Sequence, residues 1–169
     1  MAGKRGNGHS SQEYLLAALR ITLSLILLWA FFDKLLGLGF ATAPDKSWLA
    51  GNSPTSGFLL NAAHGPLKEF YSGLAGSVIV DWLFMLGLLL IGLCLLLGIG
   101  VRIAGYSGAL LMFLMWTSLI PPANHPFLDE HIVYLFLFLL LAASHSGRYL
   151  GLGKWWQGTS LVRRYPVLG

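Results

Sequence analysis

The segment PFLDEHIVY, at positions 126–134, carries the residue types best suited to proton transfer in this chain. Asp129 and Glu130 stand beside His131, and Tyr134 follows one helical turn later. Histidine changes its charge near neutral pH, and carboxylates and phenols can exchange hydrogen bonds with it. Such groups beside an apolar slot suit a quinone headgroup, whose reduction takes up protons. We therefore expect Asp129 and His131 to be catalytic, and Glu130 and Tyr134 to contact the substrate.

Other polar and aromatic residues occur at the ends of long apolar runs. Asp33 and Lys34 close the first run, Asp81 and Trp82 open the second, and Trp116 lies near the end of the third. If these runs cross a membrane, their polar groups need protein partners because lipid offers none. We expect Asp33 to join the catalytic group. The expected substrate contacts are Lys34, Asp81, Trp82 and Trp116, with the two tryptophans as ring walls.

The same residues also have a purely structural interpretation. Carboxylates in the first turn of a helix are stabilised by the positive end of the helix dipole, which accounts for Asp129 and Glu130. Asp33 or Asp81 can simply neutralise Lys34. Tryptophans at the edge of a membrane often serve only as interface anchors. Both interpretations stay open at the level of the residues.

No haem and no metal are expected. A haem ligated by His131 needs Met112 or Met115 as its second axial ligand, and packing explains these methionines better. His125, Asp129 and His131 are a weak ligand set for a metal ion. Such an ion usually needs a further ligand, and His125 precedes the helix that holds the other two.

The chain that holds these residues is strongly apolar. Of its 169 residues, 56% are hydrophobic and 11% are charged, whereas soluble domains carry about 25% charged residues. This composition excludes a disordered chain, a nucleic-acid-binding tail and an ordinary cytosolic enzyme. The single cysteine, Cys94, excludes a disulfide framework and a cysteine cluster. We expect one domain, residues 1–169, integral to a membrane.

Four apolar runs are long enough to cross a hydrocarbon core of about 30 Å as helices. The predicted spans are 14–36, 80–99, 103–121 and 127–146. Pro126 is expected in the first turn of the fourth span, and a tight turn at Gly98–Gly100 joins the second span to the third. The fold class is thus all-α: an integral membrane four-helix bundle.

A long extracytoplasmic segment separates the first two spans. It contains two short amphipathic helices, of which one begins at Ser53-Pro54. The other has an apolar face that begins at Leu67. Two interpretations stay open: these helices lie on the bundle at the membrane interface, or they form a lid over a site.

The distribution of basic residues predicts the orientation. If both termini are cytoplasmic, the inner side holds most of the cations, which are Lys4, Arg5, Arg20, Arg102, Arg148, Lys154, Arg163 and Arg164. The outer side keeps Lys34, Lys46 and Lys68. We expect a multi-pass protein of the cell membrane with cytoplasmic N- and C-termini. Arg20 lies inside the first span, and its long side chain is expected to reach the headgroups.

Small residues recur in the third predicted span. Ala104 and Gly108, and likewise Gly105 and Ala109, form small-xxx-small pairs that let helices approach closely. Packing within the bundle and a homodimer seam explain this spacing equally well.

Six blocks of the sequence carry a family resemblance: LRITLSLILLWAFFDKLLGLGF, NSPTSGFL, DWLFMLGLLLIG, LLGIGVRIAG, PPANHPFLDEHIVY and GRYLGLGKWW. Together they resemble the DoxX/DoxD-like membrane proteins, which include the membrane subunit of thiosulfate:quinone oxidoreductase. The resemblance extends from about Leu15 to Trp156. His125 departs from it, because relatives usually carry asparagine before the Pro-Phe pair, whereas Asp129, His131 and Tyr134 match.

The resemblance implies a membrane subunit of a quinone-linked redox system, in which electrons pass from thiosulfate to the membrane quinone. It also implies an outward-facing partner subunit, so whether this chain is itself an enzyme stays open. Lys34 and Lys68 are the cations available to bind thiosulfate. The alternatives are a non-catalytic membrane scaffold or assembly subunit, and a bundle that handles lipid or small molecules. Expected partners are membrane lipid and either a partner subunit or further copies of the chain, and no nucleic acid.

Overall fold

A computed structural model describes residues 11–169, and all regular structure within that range is helical. The α-helices are α1 Ser11–Leu36, α2 Ser56–Asn61, α3 Lys68–Gly73, α4 Val78–Leu97, α5 Val101–Ser118, α6 Glu130–Ala143, α7 Gly153–Gln157 and α8 Ser160–Arg164. Short 3-10 turns occur at Pro44–Lys46, Gly65–Leu67, Ser146–Arg148 and Pro166–Leu168. The predicted all-α class is confirmed. Lys4 and Arg5, which entered the predicted orientation, lie outside the described residues.

The long helices α1, α4, α5 and α6 share one hydrophobic core. Helix α1 packs on α4, α4 on α5, and α5 on α6. The core side chains are Leu23, Leu27, Phe31, Met85, Leu88, Ile91, Leu95, Val101, Ala104, Ala109, Met112, Phe138 and Leu141. The opposite faces of these helices are also apolar: Leu25, Leu83, Leu110 and Phe136 are 55%, 68%, 59% and 64% exposed.

Helices α1 and α4 are long and apolar enough to cross a membrane, judged by length and composition. They contain 26 and 20 residues, which at about 1.5 Å per residue reach the roughly 30 Å of a hydrocarbon core. Helices α5 and α6 contain 18 and 14 residues and are shorter than this core. Two helices capable of spanning are thus confirmed, and the other two spans stay predictions.

Helix α6 begins later than its sequence pattern predicts. The Asp129 side chain accepts a hydrogen bond from the backbone N–H of His131 at 3.0 Å and so caps the helix. Pro126 therefore precedes the helix and is not in its first turn. The helix ends at Ala143 rather than at residue 146, and His145 lies beyond it in the chain.

Small residues bring neighbouring helices into close contact within the chain. The Ser24 hydroxyl donates to the carbonyl of Gly92 at 2.9 Å and joins α1 to α4. A Cβ atom added at Gly105 would lie 2.7 Å from the carbonyl oxygen of Phe138 in α6. The small-residue stripe of α5 therefore packs against α6, as the first of the two interpretations predicts.

Arg20 is fully buried, at 0% exposure, where α1 meets the last turn of α4. Its Nη1 donates to the carbonyls of Leu95 and Leu96, the latter at 3.0 Å. Its Nη2 donates to the carbonyls of Tyr149 at 3.0 Å and Leu150 at 2.9 Å. The prediction that this side chain reaches the headgroups is wrong, because carbonyls at the end of α4 and in the residues after α6 bind the guanidinium inside the protein. We call this end of the four helices the Arg20 end.

At the opposite end, here called the Asp81 end, α1 and α5 finish and α4 and α6 begin. The segment 37–77 folds over this end. The backbone N–H of Trp48 donates to the carbonyl of Lys34 at 2.9 Å and satisfies the last turn of α1. The Tyr71 hydroxyl lies 2.5 Å from the Thr117 hydroxyl of α5.

The two short helices of this segment form close to their predicted positions. Helix α2 begins at Ser56, and the Ser53 hydroxyl accepts from the Ser56 N–H at 3.1 Å. The predicted helix start at Ser53-Pro54 is therefore wrong: Thr55 is the N-cap, and both Ser53 and Pro54 precede the helix. Helix α3 buries Tyr71 against Leu59, whereas Leu67 is exposed.

Candidate functional site

Asp81 is the centre of a hydroxyl network between α4 and the segment that precedes α2. Its Oδ1 accepts from the Ser53 hydroxyl at 2.8 Å and from the Thr55 hydroxyl at 2.5 Å. The residue is only 6% exposed. Within residues 11–169, Oδ2 has no hydrogen-bond donor, so one oxygen of this carboxylate remains available to a ligand.

Asp81 borders a cavity of about 250 Å³, here called the aromatic groove. It is lined by Trp48, Gly51, Asn52, Ser53, Gly76, Val78, Asp81 and Trp82. The rings of Trp48 and Trp82 meet edge to face, with their centroids 4.7 Å apart. The groove therefore combines flat apolar walls with a carboxylate oxygen and a hydroxyl.

Asp129 and His131 form a second polar group at the same end of the helices. His131 Nδ1 lies 2.9 Å from Asp129 Oδ2. Asp129 Oδ1 accepts from the His131 backbone, so both oxygens of the carboxylate serve the start of α6. This contact leaves His131 Nε2 for other partners. Among residues 11–169, no hydrogen bond joins this pair to Asp33 or Asp81.

Asp33 and Lys34 hold the loop that follows α1. Asp33 is 2% exposed, and its Oδ1 and Oδ2 accept from the backbone N–H groups of Phe40 at 3.2 Å and Ala41 at 3.0 Å. Lys34 Nζ donates to the carbonyl of Pro54 at 3.2 Å. These contacts give both residues a structural role through backbone groups, and among residues 11–169 no ion pair joins Lys34 to Asp33 or Asp81.

The remaining predicted substrate contacts are dispersed. Trp116 donates its indole N–H to the carbonyl of Phe127 at 2.8 Å, and Tyr134 packs against the shared core. Lys68 and Glu130 are exposed. The predicted residues thus do not form one polar layer at the Asp81 end, because most of them bind partners close by. Two of them, Asp81 and Trp82, come together in the aromatic groove.

His64 connects the segment to the residues that follow α5. Its Nδ1 lies 2.8 Å from the carbonyl of Ala62, and its Nε2 lies 2.9 Å from the carbonyl of Pro121. Both nitrogens can donate only in the imidazolium, so the Ala62 carbonyl and then the Pro121 carbonyl raise the pKa of His64. The charge of Lys68 opposes this shift.

One cluster in residues 11–169 has a composition that could hold a metal ion. Ligand atoms of Asp129, Glu130 and His131 lie within 4.8 Å of one another. His125, which the sequence placed in this set, is elsewhere engaged: its Nδ1 accepts from the N–H groups of Phe127 at 3.1 Å and Leu128 at 3.0 Å. Because the Asp129 oxygens bind the start of α6, the cluster is explained by helix capping.

Sequence reasoning missed Trp48, Thr55 and the role of Ser53 toward Asp81. The run Ser53-Pro-Thr-Ser56 holds three hydroxyls in four positions, which is a signal for a set of donors to a buried carboxylate. Nothing local identified Asp81 as the acceptor. Comparison of this chain with protein-family models, with curated proteins and with solved structures gives no match.

Proposed function

We propose that this chain is a multi-pass membrane protein and the membrane subunit of a quinone-linked redox system. The membrane placement is supported by α1 and α4, whose most apolar stretches are only 39% and 33% buried in the protein. A core helix of a soluble protein would bury most of that surface, whereas here it faces outward. Four spans, an extracytoplasmic Asp81 end and cytoplasmic termini follow from the sequence pattern and belong to the proposal.

The observation that carries the quinone assignment is the aromatic groove. A quinone ring can lie against the indole of Trp82 or Trp48, because offset and edge-to-face ring contacts are favourable. Asp81 Oδ2 then faces an oxygen of the headgroup. The groove opens beside α4, which brings it to the edge of the hydrocarbon region from which a membrane quinone would enter.

The chemistry of this site follows from the carboxylate. When protonated, Asp81 donates a hydrogen bond to a quinone oxygen and can deliver its proton as that oxygen gains electrons. When ionised, it accepts the hydroxyl of the quinol and takes its proton in the reverse reaction. Ser53 and Thr55 donate to Oδ1 and thereby hold the carboxyl group in place. Electrons come from a donor on a partner subunit, and thiosulfate is the donor that the DoxX/DoxD-like resemblance implies.

The Asp129–His131 pair is the second position proposed for a headgroup. His131 Nε2 is available for a quinone oxygen, and Asp129 fixes the ring through Nδ1. The catalytic roles of Asp33, Asp129 and His131 stay predictions. The two positions can be told apart because they share no residue.

The test is the binding of a short-chain ubiquinone analogue to the purified full-length protein in lipid nanodiscs. Two variants address the sites, Asp81→Ala for the groove and His131→Asn for the pair. Trp155→Leu is the matched control, because Trp155 is 64% exposed and belongs to neither site. Binding is followed by quenching of tryptophan fluorescence and by crosslinking of an azidoquinone with peptide mapping.

We expect crosslinks at the aromatic groove and roughly two- to tenfold weaker binding in Asp81→Ala, because the protonated carboxyl gives the quinone oxygen a neutral hydrogen bond, which is worth about 0.5–1.5 kcal/mol. Normal binding is expected in Trp155→Leu and His131→Asn. Loss of binding only in His131→Asn would move the site to the Asp129–His131 pair. A protein that binds no quinone at all would rule out the redox proposal.

A non-catalytic scaffold is the second candidate function, and one observation favours it. Phe40, Leu49 and Phe70 of the segment 37–77 are 73%, 70% and 62% exposed, which is unusual for large apolar side chains without a partner. A scaffold predicts a larger assembly in mildly solubilised membranes that the variant F40S/L49S/F70S loses. Quinone binding would be absent from both proteins.

A further inference from the structure

The Arg20 end of the helices contains a cavity of about 390 Å³ that the proposed redox function does not use. We call it the basal cavity. The starts of α5 and α7 and the end of α6 enclose it, and the side chains that matter to its chemistry are Arg102, Tyr106, His145, Trp156 and Gln157. It lies at the opposite end from the aromatic groove, so a ligand here would be independent of a quinone.

Hydrogen-bond donors without acceptors converge on this cavity. Within residues 11–169, neither the guanidinium of Arg102 nor the imidazole of His145 has a hydrogen-bond or ion-pair partner. Gln157 Oε1 accepts from Arg148 Nε at 2.6 Å, which orients the amide and leaves its NH₂ group as a further donor. Such a set matches the oxygens of a phosphate group, which arginine binds through parallel N–H donors.

The charged side chains that line the cavity are all basic. No aspartate or glutamate lines the cavity as the described chain forms it. Gly169 also lines the cavity, and in the described residues its carboxylate forms no ion pair with Arg102 or His145. Glu13 of α1 does not line the cavity, and its carboxylate accepts the Tyr149 hydroxyl at 2.5 Å. An anion entering the cavity therefore meets donors rather than carboxylate side chains.

An apolar track leads away from the cavity along both adjoining helices. On α5, Tyr106 is followed at helical spacing by Leu110 and Phe113, which are 59% and 44% exposed. On α6, Leu140 and Phe136 are 47% and 64% exposed. These side chains extend from the cavity toward the Asp81 end, and acyl chains beside a headgroup would cover them.

We propose that the basal cavity binds the phosphate headgroup of an anionic phospholipid, with the acyl chains along the exposed faces of α5 and α6. Basic pockets on the cytoplasmic side of membrane helices favour anionic lipids, and Trp156 and Tyr106 are residue types that prefer the headgroup level. The apolar track distinguishes a lipid from free phosphate as the source of the anion. This inference rests on the membrane placement proposed above and not on quinone binding.

The test is native mass spectrometry of the delipidated full-length protein titrated with phosphatidylglycerol and, separately, with phosphatidylcholine of the same acyl chains. Arg102→Gln removes the guanidinium that lines the cavity. Arg163→Gln is the matched control, because Arg163 is an exposed cation of α8 near the same end that does not line the cavity. Millimolar inorganic phosphate is added in a third arm as a competitor.

We expect phosphatidylglycerol to bind more tightly than phosphatidylcholine, and its affinity to fall at least fivefold in Arg102→Gln but not in Arg163→Gln. Inorganic phosphate should leave lipid binding unchanged. Displacement of the lipid by phosphate would identify free phosphate as the ligand and overturn the lipid proposal. Equal binding of both lipids, or an unaffected Arg102→Gln variant, would overturn it while membrane placement stands. A protein that binds neither lipid would contradict both the lipid proposal and the membrane placement.

Discussion

Replacement of Arg20 by methionine is expected to destabilise the protein and release its C-terminal residues. Arg20 has no carboxylate partner in the described chain, and its charge is held by the carbonyls of α4 and by those of Tyr149 and Leu150. Methionine keeps much of the apolar stem and removes every donor. The carbonyls of Tyr149 and Leu150 then lose their hydrogen bonds to α1 through this side chain.

The magnitude follows from opposing contributions. Hydrogen bonds to a charged group contribute about 1.5–3 kcal/mol each, and Arg20 makes four. Burial of the guanidinium costs several kcal/mol in return. We expect a net loss of about 3 kcal/mol in the free energy of unfolding, which lowers Tm by roughly 6–12 °C in a protein of this length.

The assay is thermal unfolding of the purified protein in detergent, followed by helical circular dichroism, together with limited proteolysis. Arg163→Met is the control, because it removes an exposed arginine at the same end. In Arg20→Met, cleavage should begin between residues 146 and 169 at temperatures where the control is intact. An Arg20→Met variant that is as stable and as protease-resistant as Arg163→Met would refute the assignment of Arg20 as the link between α1, α4 and the C-terminal residues.

Three further predictions concern helix packing, pH and the loop after α1. Gly105→Ala should cost about 1–3 kcal/mol of stability because its Cβ meets backbone at 2.7 Å, whereas Gly87→Ala, with nothing within 4 Å, should not lower Tm. Because the pKa of His64 is raised in the folded protein, protonation of this side chain stabilises segment 37–77 fully below about pH 6.5. The stabilisation is lost as the pH rises through the folded-state pKa, so proteolysis of the segment should increase over that range. His64→Phe should show no such increase. Asp33→Asn leaves one loop N–H without an acceptor and should cost about 1–2 kcal/mol by thermal unfolding, while the exposed Asp45→Asn has no effect.

Each of these three has an outcome that would contradict it. Equal Tm values for Gly105→Ala and Gly87→Ala would mean that α5 and α6 are not in tight contact. If the rate of proteolysis of the wild type depends on pH as little as that of His64→Phe, His64 does not bind the carbonyls of Ala62 and Pro121 as described. An Asp33→Asn variant with full stability but altered quinone binding would restore the catalytic interpretation of Asp33.

Local rules predicted the helices and several of their ends from the sequence. The turn after α4 is an example: Gly98 and Gly100 adopt left-handed backbone angles, with φ of 72° and 58°, which glycine allows without strain. The start of α6 was predicted wrongly, although it also depends on local sequence. Pro126 suggested a first-turn position, but the Asp129 side chain caps the helix and determines where it begins.

The long-range contacts were beyond local rules. Asp81 finds its donors 26 and 28 positions away in Thr55 and Ser53, and Arg20 finds acceptors 75 to 130 positions away. Backbone carbonyls carry no residue-specific signal in a sequence, so a buried arginine that binds only carbonyls cannot be distinguished from one that reaches headgroups. The two tryptophans of the aromatic groove likewise meet only because segment 37–77 returns to α4.

The contacts of Arg20 also constrain the order of events during biosynthesis. Helix α1 is made first, yet two of the carbonyls that accept from its guanidinium belong to Tyr149 and Leu150, which leave the ribosome only after all four long helices have been translated. A nascent chain that stalls before these residues keeps a charged group with half of its acceptors missing. These two hydrogen bonds of α1 can therefore form only when translation is nearly complete.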